Sequence, residues 1–250
     1  MPETVQLFVT CLIDSFFPHI GEAMVRVLNH AGVRVDFPSA QTCCGQPAFN
    51  AGLRSEARPL AEHTIRVLER LPKSLKTSEV CPVIVPSGSC AAMMRHGYLE
   101  LFKDDPQWLP RAEALAKRVY EFSEYLVDVL GVTDTGARWP GRLTYHPSCH
   151  LLRGLGVDRQ PRALLAAVKD TEIIELPERE DCCGFGGVFS VEHPELSAEF
   201  LKRKIANLEK TEAPTLVVAD TGCLMHMQGG LKRQGKSQRV VHIAEVLANQ

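Results

Sequence analysis

The cysteines of this chain fall into two sets with almost the same spacing. The first set is Cys11, the pair Cys43 and Cys44, and Cys90, and the second is Cys149, the pair Cys182 and Cys183, and Cys223. The lone cysteine precedes its pair by 32 residues in one set and by 33 in the other, and glycine follows both pairs. This repetition indicates that one cysteine-bearing unit was duplicated. Eight of the nine cysteines are therefore predicted to converge, four in each half, on a metal.

The composition limits the class of protein. With 250 residues, 45% of them hydrophobic, the chain can bury a large core without disulfide staples, and an odd number of cysteines excludes complete pairing within one chain. A net charge of −2 offers no general attraction for nucleic acid or anionic lipid. No apolar run approaches the roughly 20 residues that span a bilayer. We therefore expect a soluble, cytoplasmic protein with reduced thiols and no transmembrane segment.

Hydrophobic periodicity predicts alternating strands and helices in both halves. In the first half, a helix begins at Pro18 and ends at Gly32, a strand covers 33–37, a second helix covers 60–71, and a buried strand covers 83–85. The second half repeats this order, with strands at 143–149, 173–174 and 216–218 and helices around 163–168 and 194–208. The predicted fold class is α/β, with two pseudo-repeated halves that each form a mostly parallel sheet flanked by helices.

The repeat also predicts the domain organisation. We expect a first unit over residues 1–135 and a second over 140–250, with a linker near 133–141 where glycine and proline interrupt the chain. All eight repeated cysteines follow predicted strands, and ligands in parallel sheets bind beyond the carboxyl ends of the strands. The thiols should therefore gather at one rim of each sheet, near the seam between the halves.

The chemistry of the predicted centre depends on the adjacent cysteines. Both sulfurs of a pair can reach one site only if the backbone turns sharply, and Gly45 and Gly184 permit that turn and leave N–H groups to stabilise anionic sulfur. Four thiolates suit an iron–sulfur cluster or a tetrahedral zinc ion. Short Cys-x-x-Cys knuckles are typical of structural zinc, and this chain has none. The dispersed ligands favour an iron–sulfur cluster, with zinc as the alternative.

The cysteine segments together resemble the cysteine-rich CCG-domain iron–sulfur oxidoreductases. That family includes the cysteine-rich subunit of heterodisulfide reductase, the glycolate oxidase iron–sulfur subunit and, more specifically, the lactate-utilization members. The resemblance covers nearly the whole chain outside the linker. Its motifs are CLID at 11–14, TCCGQP at 42–47, PSGSC at 86–90, CCGFGG at 182–187 and GCLM at 222–225.

The resemblance implies an oxidoreductase component that works only with partner subunits. It implies electron transfer in a multi-protein system that oxidises L-lactate to pyruvate, beside a ferredoxin-like iron–sulfur subunit and a third small subunit, with one or two clusters of the [4Fe-4S] type. In heterodisulfide reductase each unit has a fifth cysteine three residues before the last one, where this chain has Ser87 and Asp220. Four thiols per half favour an ordinary or oxygen-substituted cluster, with Asp220 or His226 as a candidate extra ligand.

Several alternatives remain open from the sequence. The same clusters would serve a glycolate oxidase or a heterodisulfide reductase-like complex, and zinc would make the protein a non-redox module. Cys81 has no counterpart in the second half and is interpreted as a core residue. His146 and His150 flank Cys149 and either cap a loop or bind near a cluster. The sequence identifies no catalytic residue.

Overall fold

The protein contains two parallel sheets, one in each half, in a computed structural model that describes residues 4–72, 75 and 80–250. The strands are β1 (Thr4–Leu7), β2 (Arg34–Asp36), β3 (Val83–Val85), β4 (Val119–Glu121), β5 (Arg138–His146), β6 (Lys169–Ile174), β7 (Thr215–Val218) and β8 (Arg239–His242). The sheet orders are β2-β1-β3-β4 and β6-β5-β7-β8, and all pairings are parallel. The two halves therefore share one topology, which confirms the predicted repeat.

Helices connect and cover these strands. In the first half they are α1 (Cys11–Phe16), α2 (Pro18–His30), α3 (Gln46–Asn50), α4 (Arg54–Leu68), α5 (Gly88–Ala92), α6 (Tyr98–Leu101), α7 (Leu109–Ala116) and α8 (Phe122–Glu124). In the second half they are α9 (Arg159–Ala166), α10 (Phe189–Glu192), α11 (Pro194–Thr211), α12 (Thr221–Arg233) and α13 (Ile243–Leu247). Within the described residues, π-helical turns also lie at Met93–Gly97, Tyr125–Val129 and His150–Gly154.

The predicted periodicities correspond to real elements. Helix α2 starts at Pro18, buries the apolar stripe that predicted it and ends just before Gly32, which has φ +79°. Strand β3 has the predicted bounds, and α11 begins at Pro194. The expected linker differs, because β5 begins at Arg138 and its first residues pair with β6 across a bulge near Gly141. Residues 1–3, 73–74 and 76–79 of the predicted first unit lie outside the described part of the chain.

The two halves share a hydrophobic core. One buried cluster contains residues of β1 and α2 from the first half together with residues of β5, β7 and α13 from the second. Helix α2 packs on α13, and α5 packs on the π-helical turn after Cys149. This packing holds the carboxyl ends of the two sheets against each other. No helix in the described ranges has the length and hydropathy needed to cross a membrane.

Both halves close with a buried capping residue at the end of the fourth strand. Glu121 caps α8 by accepting from the N–H groups of Ser123 and Glu124, and burial raises its pKa to about 7. At the matching position in the second half, His242 Nδ1 accepts from the Ala244 N–H. The Nε2–H of His242 donates to the Pro86 carbonyl at 2.9 Å, so this imidazole also joins the halves.

His242 should make the fold sensitive to acid. Burial lowers its pKa to about 4 from 6.5, so the neutral ring stabilises the fold fully above pH 6.5 and this contribution is lost as the pH falls towards 4. Since one pKa unit corresponds to about 1.4 kcal/mol, the lost stability approaches about 3 kcal/mol. Urea denaturation between pH 7 and pH 4 should show less pH dependence in His242→Gln than in the wild type. The exposed His30→Gln is the control, and equal pH dependence in all three proteins would contradict the role of His242.

Candidate metal centre

In each half, every repeated cysteine follows one of the first three strands in chain order, at the carboxyl end of that strand. Cys11 begins α1 after β1, and Cys149 precedes the π-helical turn after β5. Cys90 and Cys223 are the third residues of α5 and α12, which follow β3 and β7. The adjacent pairs lie in the loops after β2 and β6. We refer to Cys11, Cys43, Cys44 and Cys90 as the first quartet, and to Cys149, Cys182, Cys183 and Cys223 as the second.

One pair of sulfurs in each quartet lies in contact, and the other two sulfurs lie alongside that pair. The Cys44 and Cys90 Sγ atoms are 3.3 Å apart, and the Cys183 and Cys223 Sγ atoms are also 3.3 Å apart. These inner residues are buried, whereas the outer cysteines of each quartet are half-buried. The four thiols of each half therefore lie near one another, as the spacing predicts, and their role as metal ligands stays a prediction.

Both quartets line the same cavity, which lies at the seam between the two halves. Its volume is about 130 Å³ and its walls are mainly apolar. The serine loop before Cys90 and the glycine-rich segment after Cys183 complete its wall. Among the described residues that line it, none is a lysine or an arginine. The cavity therefore offers sulfur ligands from two sides and no ammonium or guanidinium group for an anionic substrate.

One sulfur in each quartet is stabilised as a thiolate. A hydrogen bond from the Cys11 thiol lowers the pKa of Cys43 to about 3, with further donation from Cys44 and the Gly45 N–H. A hydrogen bond from Cys149 likewise lowers the pKa of Cys182 to about 2, and the Gly184 N–H donates to it at 3.3 Å. The pKa of Cys44 and of Cys183 is raised, first by the hydrogen bond to the neighbouring thiolate. Four neighbouring sulfurs become thiolates together only when a cation offsets their mutual repulsion.

The comparisons with known proteins agree with this arrangement. A model of the cysteine-rich CCG domain family matches residues 5–95 and 143–228, one match in each half. Lactate utilization protein A of Oceanobacillus iheyensis is 48% identical over 243 residues, covering 97% of this chain and 96% of that protein. Lactate utilization protein A 2 of Bacillus cereus strain AH820 is 44% identical over 244 residues, covering 98% and 97%. The chain belongs to the lactate utilization protein A family of cysteine-rich CCG-domain proteins.

In this family member Ser87 and Asp220, which each stand three residues before the last cysteine of their half, meet at the seam. Ser87 Oγ donates to Asp220 Oδ2 at 2.7 Å, and the Ser89 N–H donates to the same oxygen at 3.0 Å. Asp220 Oδ1 accepts from the Gly222 N–H and so caps α12. Asp220 thus lines the cavity with both oxygens already hydrogen-bonded. The sequence analysis identified Ser87 and Asp220 as matching positions of the repeat but did not predict the hydrogen bond between them.

The two candidate ligands other than cysteine have different surroundings. Asp220 lies at the cavity wall, whereas His226 in α12 has Nε2 within 3.4 Å of Ser197 Oγ and lies outside the residues that line the cavity. Their role as ligands stays a prediction.

Cys81 is fully buried, away from both quartets, with its Sγ near the Thr4 carbonyl. The prediction that Cys81 packs in the core agrees with that position.

His146 and Lys204 are near the second quartet. The sequence offered binding near a cluster as one of two interpretations of His146, whereas Lys204 was missed. His146 ends β5, and one of its ring nitrogens lies within 4.8 Å of the Cys183 and Cys223 sulfurs. Lys204 is a buried lysine within the apolar stripe of α11. The sequence contained a signal for Lys204, because it lies in the apolar stripe formed by Leu201, Ile205 and Leu208. Buried lysines are rare unless they have a partner.

Gly184 should be indispensable for the turn at the second cysteine pair. Its φ is +95°, and a Cβ atom there would lie 2.6 Å from the Ser197 backbone oxygen. Gly184→Ala should therefore lower the free energy of unfolding by more than the approximately 1–2 kcal/mol of backbone strain alone. The control is Gly156→Ala, because Gly156 has φ +70° with no atom within 4 Å of the added methyl. Equal losses in denaturant titrations of the two variants would contradict the clash.

Removal of the Ser87 hydroxyl should weaken the seam. Ser87→Ala leaves the buried Asp220 carboxylate without one of its three donors, which should lower the free energy of unfolding by about 1–3 kcal/mol. Ser55→Ala is the control, because the Ser55 hydroxyl is exposed and bonds only to the neighbouring Glu56. Chemical denaturation measures both, and a Ser87→Ala loss no larger than that of Ser55→Ala would contradict the role of this hydrogen bond.

Proposed function

We propose that this protein is the iron–sulfur electron-transfer subunit of a multi-protein system that oxidises L-lactate to pyruvate, with one cluster held by each quartet. The observation that carries the proposal is the pair of sulfur quartets facing one cavity at the seam. The names of the relatives support lactate as the substrate of the system. We further propose that the chain is cytoplasmic and works with a ferredoxin-like iron–sulfur subunit and a third small subunit.

The donor set fits an iron–sulfur cluster. Each quartet supplies four sulfurs, and a glycine N–H donates to one sulfur of each. Tetrahedral zinc with bonds of about 2.3 Å would hold all four sulfurs about 3.8 Å apart. Among the described residues, no three cysteine sulfurs of one quartet lie within 4.8 Å of one another. The cavity favours the larger group, because a zinc ion enclosed by four sulfurs needs no space of about 130 Å³ in front of them.

The cavity walls support electron transfer as the role of this subunit. A bound cluster would supply one-electron redox chemistry, and the apolar walls would exclude water from it. Lactate carries a carboxylate, which proteins usually bind with arginine or lysine, and no such side chain lines the described part of the cavity. We infer that lactate is oxidised on a partner subunit. The half-buried outer cysteines then mark the side from which electrons enter or leave.

Metal analysis of single cysteine variants tests the proposal. Full-length protein purified without oxygen should contain iron and acid-labile sulfide, and its electron paramagnetic resonance (EPR) spectrum should change on reduction. Cys44→Ala and Cys183→Ala should each lose about half of the iron, because each removes a buried sulfur from one quartet. Cys81→Ala should keep the wild-type iron content, because Cys81 is an equally buried cysteine outside the quartets.

The outcomes separate the alternatives. Zinc without sulfide would contradict the proposal and support the zinc-stabilised module. Reduction of the protein by its partner subunits should depend on added L-lactate. Reduction with glycolate in place of lactate would instead indicate a glycolate oxidase complex, and reduction coupled to a disulfide would indicate a heterodisulfide reductase-like complex.

A further inference from the structure

The two quartets have different surroundings despite their common topology. Three matched positions around the sulfurs can be compared by their place in the repeat. The first half has Phe8, Leu12 and Thr64 at these positions, and the second half has His146, His150 and Lys204. At each position the first-half side chain has no basic nitrogen, whereas the second-half side chain carries one.

The first two matches follow from the spacing to the lone cysteine. Phe8 and His146 both stand three residues before it, directly after β1 and at the end of β5. Leu12 and His150 both follow it and line the cavity. Cys149 Sγ lies 3.7 Å from His150 Nδ1, a contact that Leu12 cannot offer to Cys11.

The third match follows from the packing of the helix on the glycine turn. Leu60 in α4 approaches Gly45, and Phe200 in α11 approaches Gly184. One helical turn further on stand Thr64 and Lys204. Lys204 Nζ donates to the Glu178 and Arg179 carbonyls of the loop that leads to Cys182, so its charge is held beside the second quartet.

His146 is polar, buried and unpartnered. Its side chain is 1% exposed, and neither ring nitrogen has a hydrogen-bond partner among the described residues. The Arg179 backbone lies close enough to influence the pKa of His146 without meeting hydrogen-bond geometry. An imidazole carries at least one N–H donor in either protonation state. The Cys183 and Cys223 sulfurs lie within 4.8 Å of one of its ring nitrogens.

We propose that the two quartets hold inequivalent redox centres, and that His146 and Lys204 act as positioning residues that give the second-half centre the higher reduction potential. The inference rests on the proposed function. An N–H donor to a cysteine sulfur and a nearby ammonium group both stabilise the more negative, reduced state of a cluster. Around the first quartet, Phe8 and Thr64 supply neither.

Asp220 is the charge that opposes this difference. It lies beside Cys223, but its carboxylate accepts three hydrogen bonds, and two of the donors belong to the serine loop next to Cys90. Its negative charge lies on the side of the second quartet, because Asp220 stands three residues before Cys223. The three donors that it engages offset part of that charge, and the N–H group of His146 and the ammonium group of Lys204 act against it. Electrons that enter at the first-half centre would then pass to the second.

Potentiometric titration of the anaerobic holoprotein, followed by EPR, tests this inference. The wild type should show two reduction steps at different midpoints, and the step that disappears in Cys183→Ala should be the one at higher potential. His146→Phe introduces the residue type of Phe8, the matching position of the first half, and should lower the higher midpoint potential. At the wild-type midpoint, the ratio of reduced to oxidised second-half centre should fall about tenfold. The lower midpoint should stay in place.

Three further variants make the test specific. His146→Gln keeps an N–H donor and should restore most of the shift. Lys204→Met should also lower the higher midpoint, and it provides an independent result if His146→Phe does not retain its second cluster. Phe8→Leu alters the matching first-half position and should leave the higher midpoint unchanged.

The results that overturn the inference differ from those that overturn the function. Iron and sulfide with a single reduction step, or midpoints that neither His146→Phe nor Lys204→Met changes, would overturn the inference alone. A lower midpoint that shifts as much as the higher one in these variants would also overturn it. A protein without iron and sulfide would contradict the proposed function as well.

Discussion

Repulsion between neighbouring sulfur atoms is the constraint on which the rest of this site depends. Each quartet brings four thiols together, and they can all be thiolates only with a cation between them. The fold prepares for this charge locally. The glycine after each cysteine pair donates an N–H to one sulfur, and the sharp turn that aims both sulfurs at the cavity requires its positive φ. Substitution of either glycine would therefore affect the fold and the site together.

The seam between the halves is where the duplication becomes a single site. The shared core and the α2–α13 contact bring the carboxyl ends of both sheets together, so that one cavity receives sulfur from both units. Two buried hydrogen bonds cross the seam close to the cysteines, one from Ser87 to Asp220 and one from His242 to the Pro86 carbonyl. Symmetry is kept in the sulfurs and the backbone. It is lost in the side chains behind them, where the second half carries His146 and Lys204.

Most of the fold could be predicted because local patterns dictate it. The apolar stripe from Ile20 to Leu28 predicts α2, and the continuous run at Val83 to Val85 predicts a buried strand. The predicted start of β5 was wrong. Pro140 and Gly141 are typical of a linker, but here they lie at a bulge in the first part of the strand. The partners of Ser87 and Asp220 were also missed. These residues are 133 positions apart, and no local pattern describes a contact across the seam.

The sequence by itself determined the repeat, the alternation of strands and helices, and the identity of the eight cysteines that face the cavity. Cysteine spacing and hydrophobic periodicity can both be read from the sequence alone. Only the tertiary structure decided that both quartets share one cavity, and that Asp220 is engaged by Ser87 and by backbone N–H groups. It also decided that His146 lies unpartnered beside two sulfurs. These facts depend on how two sheets pack, and burial and electrostatic environment arise only when residues distant in the chain come into contact.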